Sequence, residues 1–194
     1  DFSQPIKLEN ERVILRPLEQ NDFTYLLPFS ENEKDLWDFS LTPAAGAENL
    51  QTYIDTALTA KEKLQAYPFV VFDKHVDKVA GSTRFYDIQI THNVLSLEYT
   101  WYGTEFQRTG LNRNCKYLLL SYAFDTLGVD RVEFRADLRN VKSIQAMKQI
   151  GCTQEGILRS NCSASDVRRD SIVLSILKPE WDQKVKTHLQ SKLY

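Results

Sequence analysis

The sequence predicts a mixed α/β fold, an open sheet with helices on both faces. Two observations carry that expectation. A meander of strand-like runs, residues 69–72 (FVVF), 79–86 and 95–102 (LSLEYTWY), is joined by polar turns at 73–78 and at His92-Asn93. Directly after it, residues 111–127 place Leu111, Cys115, Leu118, Leu119, Tyr122, Ala123 and Leu127 at helical spacing, before another strand-like run at 131–136. A crossover helix between two such strands sets them parallel and right-handed, and a sheet built this way is covered by helices on both faces.

Each element follows in order. Residues 7–18 read as an opening strand through Val13, Leu15 and Pro17, with Pro17 stopping the ladder. Asn21 or Asp22 then caps a helix through Tyr25, Leu26 and Leu27. Residues 47–66 form a second helix, with Leu50, Tyr53, Ile54, Ala57, Leu58 and Leu64 near helical spacing, ended by Pro68. After the meander and the 111–127 helix, Gly128 sits where a C′ glycine is expected. A strand at 131–136, a short helix at 141–149, strands at 151–159 and 170–177 and a closing helix at 179–193 complete the chain.

Between the strand at 95–102 and the helix at 111–127 lies Gln107-Arg108-Thr109-Gly110-Leu111-Asn112. Strand, glycine loop, helix start is a way to present bare backbone N–H groups to a phosphate. The first amides of a helix lack internal partners, and the dipole adds roughly half a positive charge there. Gly110 lets a ligand approach the main chain, and Arg108 and Arg113 add charge beside it. The segment is neither a GxxxxGKS/T loop nor a GxGxxG fingerprint. By itself one glycine before a helix is more often a plain turn.

At 194 residues the chain fits one domain spanning 1–194, with residues 1–6 expected as a loose N-terminal segment. A net charge of −2 gives no basic field for nucleic acid or an anionic membrane, and no apolar run approaches the ~20 residues of a bilayer span. Cys115, Cys152 and Cys162 form no CxxC and lie far from His75, His92 and His188, so neither a metal site nor a disulfide framework is expected. With no leader sequence legible, the expected location is the cytoplasm.

A second patch, Asp137-Leu138-Arg139-Asn140-Val141-Lys142-Ser143, also leaves a strand and enters a helix. Asn140 is an N-cap by type, with Ser143 in the first turn. With this patch the chain resembles the GNAT acyltransferase superfamily, and within it the RimJ/RimL-like branch of N-acetyltransferases. The matching pieces stand in family order: I-L-R-P-L (14–18), L-E-Y-T-W-Y (97–102), Q-R-T-G-L-N (107–112), R-V-E-F-R-A-D-L-R-N-V-K-S (131–143), A-M-K-Q-I-G-C-T-Q-E-G-I-L-R (146–159) and R-D-S-I-V-L-S-I-L-K-P-E-W (169–181).

The resemblance implies the GNAT fold with a mostly antiparallel sheet, and acetyl-CoA as co-substrate without a metal. It implies that Gln107, Arg108, Thr109, Gly110, Leu111 and Asn112 hold the coenzyme A pyrophosphate through backbone amides. Asn112 stands where many relatives carry Gly or Ala, as the RimJ/RimL-like branch often does. The backbone of Thr100, Trp101 and Tyr102 would splay from the neighbouring strand and pair with the pantetheine amides. Asn140 matches a pantetheine contact, and Ser143 the serine proposed in this branch to protonate the departing thiolate.

Transfer to a primary amine, on a protein N-terminus or a small molecule, requires an amine to lose a proton and a thiolate to be stabilised. Glu98 matches a common GNAT acid position and is the expected base, with pairing to Arg84 or Arg135 as the competing role. A glutamate used by some members of the branch has no counterpart here, since residues 160–163 hold Cys162 and no acid. Tyr99 and Tyr102 are alternatives to Ser143 as the acid. An idle acyl-CoA-binding sensor and a coenzyme-free interaction domain are the competing readings. Trp37, Phe39, Tyr53, Phe85 and Tyr86 are either acceptor-pocket or core aromatics, and Glu31, Glu33 and Asp35 either attract a cationic amine or form a solvated face. No nucleic-acid or membrane partner is expected. The apolar stripe Trp181, Val185, Leu189, Leu193 leaves a homodimer open, although its simpler place is on the chain's own sheet.

Overall fold

A computed structural model describes residues 2, 4–164 and 167–193. Its centre is one eight-stranded sheet in the order β1-β2-β3-β4-β5-β6-β8-β7. The strands are β1 (Leu8–Glu9), β2 (Val13–Pro17), β3 (Ala66–Asp73), β4 (Lys78–Gln89), β5 (Val94–Tyr102), β6 (Arg131–Asp137), β7 (Thr153–Ala164) and β8 (Val167–Leu177). All neighbours are antiparallel except β5 and β6, the pair joined by the crossover helix α3 (Leu111–Ser121). The mixed, mostly antiparallel sheet expected from the sequence is therefore observed.

Local chemistry explains where boundaries depart from expectation. The opening strand is two, because Asn10 turns the chain: its Oδ1 accepts from the Arg12 and Val13 amides. Asp22 caps the first helix differently from the expected N-cap. It sits at the third position of a 3₁₀ turn, accepts from the Glu19 amide, and is gripped by Arg16. Helix α1 is Phe23–Asn32. Helix α2 ends at Glu62, not at residue 66, and Ala66 already begins β3. Pro68 lies inside β3, where its carbonyl still accepts from Leu18.

Two cores flank the sheet. On one face, α3, α4 (Val141–Gln149) and the closing segment pack on Val13, Leu15, Phe69, Phe85, Leu95, Val132, Phe134, Leu174 and Ile176. That closing segment is α5 (Lys178–Glu180), a π-helical turn Trp181–Val185 and α6 (Lys186–Gln190). Trp181, Val185 and Leu189 are buried there, so most of the C-terminal stripe faces its own sheet. On the other face, α1 and α2 pack through Leu26, Leu50, Tyr53 and Ile54, with Trp37 from the 3₁₀ turn Lys34–Trp37 between them, on Val70 and Trp101. Residues expected to be loose at the N-terminus dock instead: Ile6 is buried and donates its amide to the Tyr67 hydroxyl, and Phe2 packs on Tyr67 and Phe85.

Candidate active site

The site begins with a register fault. Across β4 and β5, Ser82 pairs with Trp101 and Arg84 with Glu98, so Thr83 alone faces both Tyr99 and Thr100. This β-bulge puts Tyr99 at φ +53°, an unfavourable region for a bulky residue and one that sharpens the local twist. The strand consequently swings off its other neighbour. β5 and β6 pair only through Val94–Arg131, Leu95–Val132 and Ser96–Glu133, and then separate. Gly81 permits the bulge to nest against β4, since a Cβ there would lie 2.0 Å from the Trp101 carbonyl oxygen.

Glu98 lies at the start of the separated stretch, on the α1–α2 face. Neither competing side chain pairs with it: Arg135 pairs with Glu133, and the Arg84 guanidinium carbon lies over the rings of Tyr99 (4.1 Å) and Tyr53 (4.9 Å). One carboxyl oxygen, Oε1, is buried with no hydrogen-bond partner among the described residues. Burial pushes the Glu98 pKa up to about 7, against the opposing pull of the Tyr86 hydroxyl and the charges of Arg169 and Arg135. A carboxyl poised near neutrality is what a general base for an amine requires.

The glycine loop lies beyond the end of the same strand. Gly110 is left-handed (φ +88°) and a Cβ there would meet nothing within 4 Å, so the main chain is open to approach. The loop is held from within: Thr109 Oγ1 donates to the Phe106 carbonyl, Gln107 Nε2 to the Tyr102 carbonyl, and the Tyr102 hydroxyl to Asn112 Oδ1. Leu111 anchors the helix in the core at 0% exposure. The amides of Asn112 and Arg113 find no protein acceptor among the described residues. These unspent donors beside an open glycine fit an anionic diphosphate. Arg108 stays exposed beside them, whereas Arg113 is tied to the Lys192 carbonyl.

Other expected residues divide between roles. Asn140 caps α4 with its side-chain oxygen on the Ser143 amide, so only its Nδ2 is left for a ligand. The Ser143 hydroxyl makes no hydrogen bond to a described residue. Thr100 spends its Oγ1 on Thr83 and Lys116, and Trp101 turns its ring under α1 and α2 and donates to the Tyr53 hydroxyl. Both therefore have only backbone to offer. Tyr102 is buried in the α3-side core with its hydroxyl on Asn112, which removes it as the acid. Phe85 belongs to that same core and lines no acceptor pocket, whereas Tyr86 and Tyr53 lie on the Glu98 face. Glu33 is no cation trap, because its carboxylate accepts from the Thr104 amide and hydroxyl.

The sequence offered Arg84 only as a partner for Glu98 and gave Arg169 and Lys116 no role. Arg84 and Arg169 are buried at 4% and 5% exposure on the Glu98 face. Arg169 Nε donates to Ser171 Oγ and Nη1 to the Phe39 carbonyl, tying the loop after α1 to β8. Lys116, on α3, is buried with Nζ 2.8 Å from Thr100 Oγ1 and 5.9 Å from the Phe134 ring centre, so it plugs the gap between β5 and β6 from the opposite face. Burial lowers its pKa to about 8. The legible signal was a charge directly beside Cys115 in the apolar stripe of α3, and for Arg84 a charge within a doubly paired strand. Burial also pushes the Cys115 thiol up to about 12, so it is no thiolate nucleophile.

Comparison with known proteins agrees with this geometry. Residues 12–153 match the model of an acetyltransferase (GNAT) domain. The chain is 27% identical over 182 residues to the Bacillus subtilis protein named Probable N-acetyltransferase YjcK, covering 91% of this chain and 99% of that one. A GCN5-related N-acetyltransferase from Brucella melitensis superposes with a TM-score of 0.90 at 26% identity, over 98% of this chain and 86% of that one. The ribosomal-protein-S5-alanine acetyltransferase from Vibrio fischeri shares the fold, with a TM-score of 0.73 at 19% identity over 91% of this chain and 98% of that one. A separated β5–β6 pair, an open helix N-terminus and a match over most of the chain converge on one assignment: the protein belongs to the GNAT acetyltransferase family.

Proposed function

We propose that the chain acetylates a primary amine by direct attack within a ternary complex, with Glu98 as general base. Acetyl-CoA supplies an activated acetyl thioester: as the N–C bond forms the C–S bond breaks, leaving the coenzyme as thiolate. Glu98 takes the amine proton, directly or through one water, from the α1–α2 side of the sheet. The α3 N-terminus and Gly110 hold the diphosphate, and the parted edges of β5 and β6 receive the pantetheine arm. Asn140 Nδ2 is available to that arm, and Ser143 lies one helical turn away as a proton donor to the thiolate. Positioning supplies much of the rate in such a scheme.

The observation that carries the reading is the orphaned, buried Glu98 oxygen on the strand that the bulge parts from β6. It is tested by melting the protein with acetyl-CoA at about one hundred times Kd, where binding to the folded state alone adds about 2.7 kcal/mol, or roughly 5–10 °C. Glu98→Gln should keep that shift and lose turnover. An absent shift in the wild type refutes coenzyme binding, and full turnover by Glu98→Gln refutes the base.

A further inference from the structure

Eleven arginines occur in the sequence, and in the structure Arg84 is set apart from the rest. The other buried one, Arg169, makes two hydrogen bonds. Arg12, Arg16, Arg113, Arg131, Arg135, Arg139 and Arg168 each donate to a carboxylate, hydroxyl or carbonyl. Arg108 and Arg159 are exposed, and water serves them. Arg84 alone is buried while donating to no described residue, and its Nε is fully shielded. A guanidinium carries five donors, and burying it unbonded is strongly unfavourable unless something accepts from it.

Its surroundings hold it in place without satisfying it. The guanidinium carbon lies over two rings, 4.9 Å from the Tyr53 centroid and 4.1 Å from the Tyr99 centroid. Tyr53 is fixed in turn: its hydroxyl accepts from Trp101 Nε1 and donates to Ser82 Oγ, which donates to the Phe69 carbonyl. Tyr99 is fixed by the bulge and by an edge contact with Tyr86 at 5.3 Å. Contact with two aromatic rings holds a guanidinium in place without accepting its N–H groups, which stay available to a planar anion. Arg84 is directly opposite Glu98 in the β4–β5 register, and such neighbours have Cβ atoms roughly 5 Å apart. Arg169, also without a carboxylate partner among the described residues, adds a second positive charge near Glu98.

We propose that Arg84 is a substrate-binding residue that grips a carboxylate on the acceptor, so that the acceptor is a free amino acid or a close relative with amine and carboxylate on neighbouring carbons. The proposal rests on Glu98 marking where the amine sits. An α-amino acid spans the short distance between two cross-strand neighbours. A protein N-terminus has no carboxylate there, because its α-carboxyl is an amide. A polyamine or aminoglycoside would bring more cations beside two guanidiniums.

The test uses the standard L-amino acids, their carboxamides and their decarboxylated amines. Melting temperatures are measured on protein saturated with coenzyme A, and steady-state rates with acetyl-CoA. One or more amino acids should raise the melting temperature while the matching carboxamides do not. The same amino acids should be acetylated with kcat/KM at least about tenfold above their carboxamides, the scale of a lost charge-assisted pair. Arg84→Met and Arg84→Lys should abolish the amino-acid shift, raise KM for the amino acid and leave KM for acetyl-CoA unchanged. Glu98→Gln should keep the amino-acid shift. Equal protection or turnover by carboxamides overturns the proposal, as does protection by no amino acid. If both Arg84 variants fold poorly, the wild-type comparison of acid with carboxamide decides alone. Failure of acetyl transfer itself shows separately, as no shift with acetyl-CoA, and the amino-acid melts still judge the clamp.

Discussion

Glu98 should make the enzyme less stable where it is most active. Its pKa is raised from 4.5 to about 7 in the fold. A raised folded pKa means the stability Glu98 contributes is full below about pH 4.5 and is lost as pH rises through about 7. At pH 8 the loss approaches the whole shift, about 3 kcal/mol at 1.36 kcal/mol per unit, whereas at pH 5 it is under about 1 kcal/mol. Glu98→Gln does not titrate, so it isolates this contribution. The melting temperature of the variant minus that of the wild type should therefore grow between pH 5 and pH 8. The change should match about 2–3 kcal/mol, or roughly 5–10 °C for a domain of this size. Differential scanning calorimetry at both pH values measures it. Over the same range wild-type kcat/KM should climb about tenfold between pH 6 and 8, following the ionised fraction of a group near 7. A difference in melting temperature that is flat with pH would refute the buried, near-neutral carboxyl, and a flat rate profile would refute its use as the base.

Lys116 should titrate in the opposite sense: its pKa falls from 10.5 to about 8, so the fold is penalised while the amine is charged. Wild-type stability relative to Lys116→Met should rise by about 2 kcal/mol between pH 7 and 10, read from urea midpoints. Gly110→Val forces a β-branched residue to φ +88° in open space. It should cost about 1–2 kcal/mol and remove the acetyl-CoA melting shift, measured by fluorimetry. Trp181→Ala opens a cavity beside Phe124, whose ring stacks on it at 5.5 Å, and should cost about 3–5 kcal/mol by chemical denaturation. Gly81→Ala should displace the bulge it backs onto and lower both kcat and coenzyme affinity, read in a steady-state and binding comparison.

Most of the element order was legible because period-two and helical spacings are local. The crossover helix, the parallel β5–β6 pair and the α4 boundaries at Val141–Gln149 follow from those patterns. The glycine loop was legible as well, since strand, Gly110 and helix start lie within a few residues. What escaped depends on pairing between distant residues. Nothing local in Thr83, Tyr99 and Thr100 announces that one residue will face two. The unbonded state of Arg84 emerges only when α2 brings Tyr53 across the sheet. Phe85 stood open between acceptor pocket and core, because strand alternation alone leaves open which face of the sheet meets which helix layer; the structure places it in the core. Asn140 shows that one residue type can carry two readings at once: its oxygen is spent on the cap while its Nδ2 is not.

The bulge ties the two halves of the site together. A regular strand sends successive side chains to opposite faces, and one added residue alters what each face receives. Thr100 is directed to the α3 side, where Lys116 meets it, and Tyr99 to the α1–α2 side, where its ring meets the Arg84 guanidinium and touches Tyr86. The same fault parts β5 from β6 and leaves Glu98 at the opening. In the proposed scheme the coenzyme arm, the base and the carboxylate clamp are thus all positioned by one two-for-one mismatch. Straightening it would move all three together, so a variant that relaxes φ at Tyr99 cannot be expected to spare either substrate.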